Sequence, residues 1–166
     1  MQLSLRLGLS VCLFVFGLLA DAAVAADSPA FRGIRGDGHS DEQVPVKWSA
    51  QQNVKWRIAL PFPGHSTPVI SRGRVFLTCA NQKGTQRGLY CFDRATGKEL
   101  WKRTVAFTTV EPTHKTNPYG ASSAVTDGTR VVVWHGSAGL FCYDHAGELQ
   151  WKLDPGNAAH IWGYAS

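Results

Sequence analysis

The sequence lacks the short motifs that mark common catalytic centres. It contains no Gly-x-Ser-x-Gly, no His-Glu-x-x-His, no Walker loop and no Gly-x-Gly-x-x-Gly after a predicted strand. None of its 4 cysteines belongs to a Cys-x-x-Cys or Cys/His group with zinc spacing. No constellation of residues supports catalysis, and we predict neither a catalytic residue nor a metal ligand.

The chain also lacks a concentrated patch of charge. Its 17 Lys and Arg against 12 Asp and Glu give a net charge of +5, but the basic residues are scattered and form no run. They are not interleaved with aromatic residues in the pattern of a nucleic-acid surface. We therefore predict no nucleic-acid partner.

Long apolar runs are absent except at the start of the chain. The run Leu7–Ala20 follows Arg6 and is too short for a comfortable membrane span, and Ala23–Ala25 offers a small-residue cleavage site. We interpret residues 1–25 as a secretory signal peptide. The chain is then exported, to the periplasm or the extracellular space, with no stable membrane insertion after cleavage.

Cysteines are too few to impose a disulfide framework. Cleavage would remove Cys12 and leave Cys79, Cys91 and Cys142. Cys79 and Cys91 fall on adjacent predicted strands and could pair across them. Alternatively, all three are small buried hydrophobic residues.

What the sequence does contain is one pattern written twice. Gly88–Trp101 and Gly139–Trp151 each read as an apolar strand ending in Asp, a short turn with Gly, and a second strand ending in Trp. Self-similarity of this kind predicts a repeat architecture.

The letters shared by the two copies match the chemistry of a tight turn. Asp93 and Asp144 end a strand, where a carboxylate can accept backbone N–H groups of the turn. Gly97 and Gly147 can supply the positive φ that closes such a hairpin, which we predict as a G1-type bulge. These four residues are therefore predicted to be structural.

Similarity extends upstream, because Ser66–Leu77 resembles Ser122–Val133 as strand, polar turn and strand. One repeat is thus four short antiparallel strands. The predicted strands are 66–70, 74–80, 88–93 and 98–104, and then 121–126, 130–135, 139–144 and 147–152.

Partial copies flank the two repeats. The segment around Trp56 resembles a fourth strand and is predicted to close a ring, while Ala165–Ser166 matches Ala121–Ser122 and predicts a third blade starting at residue 163. The predicted division is a signal peptide at 1–25, an extended lead-in at 26–52, and repeats at 53–166 with blades at 66–104 and 121–152.

Four-stranded units of this length are typical of β-propeller blades. The motif ending in Trp101, with its shorter copy ending in Trp151, resembles the tryptophan-docking repeat of the pyrroloquinoline-quinone-like (PQQ-like) propeller family. The segment Phe31–Gly38 resembles the stretch before the first blade in secreted bacterial members. The resemblance implies an all-β, partial β-propeller of about two blades plus a preceding closing strand, with Trp56, Trp101 and Trp151 docking between blades.

Three connections would share one face of such a propeller, around its central channel. They are residues 60–65, 105–119 and 154–164. Function is often grafted onto connections of this kind. The candidate binding residues there are His65, Asn117, Tyr119, Trp162 and Tyr164, whereas His135 is predicted to be structural.

The predicted two blades are fewer than the 4–8 that usually close a propeller. We therefore expect an incomplete copy, a C-terminally truncated piece of a longer propeller. The resemblance implies a non-catalytic scaffold for a protein partner at the cell envelope, like the outer-membrane assembly lipoproteins. The alternatives are part of a quinone-dependent dehydrogenase, with PQQ expected only in a complete propeller, or a fragment with no function of its own.

Overall fold

A computed structural model describes residues 26–114 and 116–157. The predicted signal peptide at 1–25, the candidates Trp162 and Tyr164, and the third blade predicted from residue 163 lie outside the described residues.

Within the described residues the fold is all-β and consists of two four-stranded antiparallel sheets. Each sheet is a meander in which every strand pairs with the next one along the chain, as expected for two blades of a propeller. Blade 1 contains β1 (Val69–Ser71), β2 (Arg74–Ala80), β3 (Gln86–Asp93) and β4 (Glu99–Ala106). Blade 2 contains β5 (Val125–Thr126), β6 (Arg130–Trp134), β7 (Leu140–Asp144) and β8 (Leu149–Leu153), with one 3-10 turn at Gly136–Ala138 between β6 and β7.

The first strand of each blade starts later than predicted. Residues 66–68 and 121–124 form no strand, because their polar groups bond to one another across the blades. Thr67 N donates to Ser123 Oγ at 2.9 Å, and Thr78 Oγ1 donates to the carbonyls of Gly120 and Ser122 at 3.1 and 2.8 Å. These segments link the blades instead of extending their sheets.

The closing strand predicted around Trp56 also differs from the structure. Residues 54–60 lie in no strand or bridge. A strand requires a neighbour whose backbone groups it can pair with, and neither described sheet has a strand next to this segment. The segment nevertheless covers blade 1, because Trp56, Ile58 and Phe62 pack against its apolar face.

Alternation along the strands divides each blade into two faces. In blade 1, one row crosses all four strands as Val69, Phe76, Cys91 and Trp101. We call it the Trp row. The equivalent Trp row of blade 2 consists of Val125, Val132, Cys142 and Trp151.

The neighbouring row of each blade points to the opposite face. We call it the acceptor row, because in blade 2 it receives the Trp row of blade 1. It consists of Ile70, Val75 and Phe92 in blade 1 and of Thr126, Val131 and Tyr143 in blade 2.

The main core lies between the Trp row of blade 1 and the acceptor face of blade 2. It joins Phe76 and Cys91 of the first blade to Val131, Phe141 and Tyr143 of the second. Burial of this apolar area is the main force holding the two sheets together.

A bulge in the fourth strand places each tryptophan in its row. Cys91 pairs with Trp101 while Phe92 pairs with Glu99, so Leu100 is an extra residue. Blade 2 repeats the irregularity at Gln150, between Leu149 and Trp151. Without the bulge, Glu99 and Trp101 would share a face; with it, Trp101 points to the face of Cys91. This bulge next to the tryptophan is separate from the predicted G1-type bulge at the turn glycine, where Gly147 has a φ of 87°, donates to Asp144 O and is followed by Glu148, whose carbonyl accepts from Asp144 N.

Two tryptophans make the same contact with the following turn. Trp56 Nε1 donates to Arg94 O, and Trp101 Nε1 donates to His145 O, both at 2.9 Å. A Cβ on Gly97 would lie 2.7 Å from the Trp56 ring, and one on Gly147 would lie 2.8 Å from the Trp101 ring. Both glycines also have positive φ, 74° and 87°, so the position requires glycine for two reasons.

The turn aspartates hold these glycine turns in place. Asp93 Oδ1 accepts from Thr96 N at 2.8 Å and from Thr96 Oγ1 at 2.7 Å, and these hydrogen bonds lower the pKa of Asp93. Asp144 Oδ1 accepts from Glu148 N at 2.9 Å.

The three described cysteines are free and buried. Cys79 pairs with Gly88 in the sheet register, not with Cys91, and the two cysteines belong to different packing clusters. The cross-strand pair is therefore excluded by register, and burial raises the pKa of the Cys91 thiol to about 12.

The lead-in touches both blades at their first strands. Ser28 and Ile70 exchange two backbone hydrogen bonds at 2.8 and 2.9 Å, and Thr126 N donates to Pro29 O at 2.9 Å. The Asp27 carboxylate accepts from Ser71 Oγ and Arg72 N. Residues 27–29, which we call the leader strip, thereby cover the exposed strand edges of both sheets.

A search of the described residues for a helix long and apolar enough to cross a membrane finds none.

Candidate functional site

Connections at one end of the two blades pack closely together. His65 N donates to Gly120 O at 2.9 Å, and Ala80 N donates to Pro63 O at 3.1 Å. A Cβ on Gly64 would lie 2.2 Å from Thr78 O, so no larger residue fits without moving the backbone. The segments that enter β1 and β5 are thus fixed to each other and to the end of β2.

Arg87, at the start of β3, is the centre of this end of the molecule. Its side chain is buried, and its nitrogens reach three separate segments. Nε donates to Gly84 O at 2.9 Å, Nη1 donates to His135 O at 2.5 Å, and Nη2 forms an ion pair with Glu111. A buried guanidinium is stable only when it is paired in this way, so Arg87 ties the turn after β2, the 107–120 connection and the end of β6 together.

Two aromatic rings enclose the same guanidinium. The Phe107 and Tyr119 ring centroids lie 5.0 and 4.9 Å from Arg87 Cζ, within the range of cation–π attraction. Tyr119 Oη also donates to Glu111 O. Glu111 is therefore held through both its carboxylate and its backbone.

His135 is buried against this cluster. Burial, and then the positive charge of Arg87, lowers the pKa of His135 to about 3. Its Nε2 and the Glu111 Oε1 are buried without a hydrogen-bond partner among the described residues. The imidazole is thus neutral at ordinary pH and packs on Phe141, with ring centroids 5.9 Å apart.

A pocket of about 380 Å³ opens beside this cluster. Its described lining contains no Asp, Glu, Lys or Arg and combines amide, hydroxyl and imidazole groups with apolar surface, with Tyr119 as its aromatic wall. The lining residues are Pro63, His65, Asn81, Gln82, Thr113, His114, Thr116, Asn117, Pro118 and Tyr119. We call this surface the connection pocket.

The structure brings together three of the five predicted candidates. His65, Asn117 and Tyr119 all line the connection pocket. Thr113 Oγ1 donates to Asn117 O at 2.6 Å and orders that part of the wall. The remaining two candidates lie outside the described residues.

Sequence reasoning missed Arg87 and Glu111. They are 24 positions apart, in a strand and a connection, and nothing in their spacing reveals the pair. An Arg between turn residues and an apolar strand, with one Glu in the longest connection, was the only available signal. The buried position of His135 in this cluster was likewise not predicted.

A larger cavity, about 700 Å³, lies between the lead-in and β1. Two of its charged lining residues pair with each other, Arg35 and Asp41 at 3.0 Å, and Arg35 also lies 3.3 Å from Asp37 beside the cavity. These exposed pairs order the lead-in and give no indication of a ligand.

The connection pocket can also be tested for the groups that the PQQ name implies. Its described lining has no Arg or Lys to pair with the carboxylates of a quinone, and no Asp or Glu to bind calcium. The described residues also contain no group of three or more His, Cys, Asp or Glu that could hold a metal ion. The described pocket does not fit the quinone, and we derive no step through it.

Comparison with family models gives a match where the repeat geometry is clearest. Residues 85–161 match the family described as outer membrane protein assembly factor BamB, a PQQ-type repeat model. The matched range starts at β3 and includes the joint between the blades and all of blade 2. These residues are PQQ-like repeats. A search of curated proteins finds no match to the chain.

The PQQ-like repeat accounts for the features that the two blades share. Both carry the Asp-and-Gly turn, the bulge and the tryptophan at equivalent positions. The chain is a propeller-type repeat protein of which the described residues supply two blades.

Proposed function

We propose that this chain is an exported, non-catalytic scaffold that binds another protein at the cell envelope through the connection pocket. The observation that carries the proposal is the match of residues 85–161 to a repeat family described by its part in outer membrane protein assembly. The apolar run and cleavage site in residues 1–25 support export.

The rigidity of the connection pocket supports a role in binding. Its wall residue Tyr119 packs on the buried Arg87 and bonds to Glu111. A surface that is ordered before binding loses less conformational entropy when a partner docks. Connections on a rigid scaffold are also where binding residues are commonly found.

The chemistry of the connection pocket favours a peptide segment as its ligand. Amide side chains from Gln82 and Asn117 can both donate and accept hydrogen bonds, as peptide groups do. Pro63 and Pro118 add apolar surface. A hydrogen-bonding pocket whose described lining has no Asp, Glu, Lys or Arg matches the backbone of a protein partner better than a strongly charged ligand.

Export is tested by expressing the whole chain with its N-terminus in a Gram-negative host. The expected result is a periplasmic product whose mass shows cleavage after Ala25. Retention of the uncleaved chain in the cytoplasm would contradict the envelope assignment.

Binding is tested by photo-crosslinking in the same cells. A photoreactive amino acid replaces Gln82, an exposed residue of the pocket, and in a matched control replaces Lys98, an exposed residue at the opposite end of blade 1. We expect a protein adduct from position 82 that is absent from position 98. Equal adducts at both positions, or none at either, would refute the connection pocket as the binding surface.

A further inference from the structure

Ala26, the residue after the predicted cleavage site, is held by contacts on both sides of its backbone. Its N donates to the Glu42 carboxylate, and its carbonyl accepts from Arg94 Nη1 at 3.2 Å. The next three residues are the leader strip, which is bonded to the first strands of both blades. The main-chain nitrogen of Ala26 is therefore kept close to Glu42.

Glu42 is held opposite this nitrogen by the lead-in. Its own backbone N donates to Ser40 Oγ at 3.2 Å, which orders the chain at this point. The described ion pairs of the lead-in are made by other side chains, namely Arg35, Asp37, His39 and Asp41. Within the described contacts, the Glu42 carboxylate is thus left with the nitrogen of Ala26 as its partner.

The cavity between the lead-in and β1 has an excess of negative charge before the signal peptide is removed. Its described lining contains three carboxylates, two guanidinium groups and one imidazole. These groups belong to Asp27, Asp41, Glu42, Arg35, Arg94 and His39. With the imidazole counted as neutral, one further cation would balance the lining.

Removal of the signal peptide supplies that cation at Ala26. Hydrolysis of the bond between Ala25 and Ala26 consumes one water molecule and leaves a carboxylate on Ala25 and an amine on Ala26, which takes up a proton below about pH 8. The neutral N–H that faces Glu42 thereby becomes an ammonium group. A charge–charge attraction is then added to the existing hydrogen bond.

We propose that Glu42 captures the α-ammonium group of Ala26 once the signal peptide has been removed, and that this contact clamps the leader strip on both blades. The proposal rests on the export and cleavage that the proposed function includes. An exposed ion pair usually gains little, because two long side chains must be immobilised. Here one partner is a main-chain group that its neighbours already fix, so this entropic cost falls on Glu42 alone.

The clamp depends on pH through the amine. Pairing with Glu42 raises the pKa of the amine above its value in the unfolded chain, about 7.7–8.0. The contribution of the amine is therefore fully present below that range and is lost as the pH rises through the folded pKa. Of the other charged groups at the cavity, Asp27 and Asp41 also raise this pKa, whereas Arg35, Arg94 and a protonated His39 lower it.

The test compares four chains whose N-termini are set by a cleavable SUMO fusion and not by export. They are the wild-type chain starting at Ala26, its E42Q and D41N variants, and a chain starting at Ala23, in which the nitrogen of Ala26 stays a peptide nitrogen. D41N is the matched control, because Asp41 lines the same cavity but pairs with Arg35. Circular dichroism checks that each chain keeps its β structure.

The pKa of the α-amino group is measured from the pH dependence of its acetylation, followed by mass spectrometry of the N-terminal peptide. We expect it to be about half a unit higher in the wild type than in E42Q, with D41N shifted by less than half as much. Half a unit corresponds to about a threefold coupling. At pH 6.5 the amides of Ser28 and Ile70, which bond to each other's carbonyls, should therefore exchange hydrogen about threefold more slowly in the wild type than in E42Q or the Ala23 chain.

Equal amine pKa values in the wild type and E42Q, or equal exchange in the wild type and the Ala23 chain, would overturn the proposal. A shift in D41N as large as that in E42Q would also overturn it, because the general field of the cavity would then replace capture by Glu42. The fusion makes this result independent of export. Cytoplasmic retention in the export experiment would refute the proposed function without touching the measured capture, and failed capture would leave export and partner binding standing.

Discussion

Trp56 and Trp101 dock through the same indole hydrogen bond, but the segments that carry the two tryptophans differ. Trp101 lies in a strand of a four-stranded sheet, and its row packs against β6 and β7 of blade 2. Trp56 makes the same hydrogen bond and covers the same kind of glycine, but from a segment that pairs with no strand. Local motif chemistry therefore fixes where an indole docks, whereas the sheet behind it determines how firmly it is held.

The first prediction compares the two joints directly. W101A removes a partly buried indole that packs against the core between the blades, and it leaves His145 O without its donor, so it should destabilise the chain by roughly 3–5 kcal/mol. W56A removes an indole from a segment that belongs to no sheet and should cost roughly 1–3 kcal/mol. Urea unfolding of both variants measures the difference. Equal losses would mean that segment 54–60 is as firmly held as β4.

A second prediction compares the two ends of the joint between the blades. E111A leaves the buried Arg87 guanidinium unpaired, so the free energy of unfolding should fall by about 3–5 kcal/mol. E148A breaks the more exposed pair with Arg103 and should cost less than about 1 kcal/mol. Comparable losses in urea unfolding would show that the connection end does not hold the blades together.

A third prediction concerns acid stability at the connection end. His135 binds a proton in the unfolded chain near pH 6.5 but in the folded chain only near pH 3. Its contribution to stability is therefore complete above about pH 6.5 and is lost as the pH falls towards 3, by up to about 1.4 kcal/mol per pH unit.

H135F keeps a ring on Phe141 and removes the titration, so its unfolding free energy should depend less on pH between 6.5 and 4 than that of the wild type. H114Q, at an exposed histidine, serves as the control for removing an imidazole outside the buried cluster. An H135F profile parallel to that of the wild type would contradict the assignment.

The smallest expected effect concerns the two equivalent cysteines. Cys91 lies in the Trp row of blade 1, which packs against blade 2, and Cys142 lies in the Trp row of blade 2. Both side chains are fully buried. Local opening should expose Cys142 more often because neither of the two described sheets covers its face. We expect iodoacetamide to modify Cys142 before Cys91, as followed by mass spectrometry of peptides. The reverse order would mean that the Trp row of blade 2 is better protected than that of blade 1.

Much of the fold could be predicted because the repeat carries its own markers. The copies ending in Trp101 and Trp151 located the third and fourth strands of each blade to within two residues. The predicted start of each first strand was too early, because the side chains of Ser123 and Thr78 bond to these segments across the blades. Hydrophobic alternation cannot report such tertiary contacts.

The candidate site could be predicted only at the level of which connections meet. The positions of His65, Asn117 and Tyr119 follow from the blade topology, because all precede or approach a first strand. The pairing of Arg87 with Glu111 depends on how the 107–120 connection folds back, and sequence separation hides it. The register that keeps Cys79 away from Cys91 is set by the length of the turn at 81–85.

The leader strip sets an order for the folding of this chain. Ser28 and Pro29 are synthesised well before the strands they contact, and Thr126, which donates to Pro29, belongs to the second blade. The strip can therefore dock fully only after both sheets have formed, so these early residues complete the structure late. Such non-local closure slows folding.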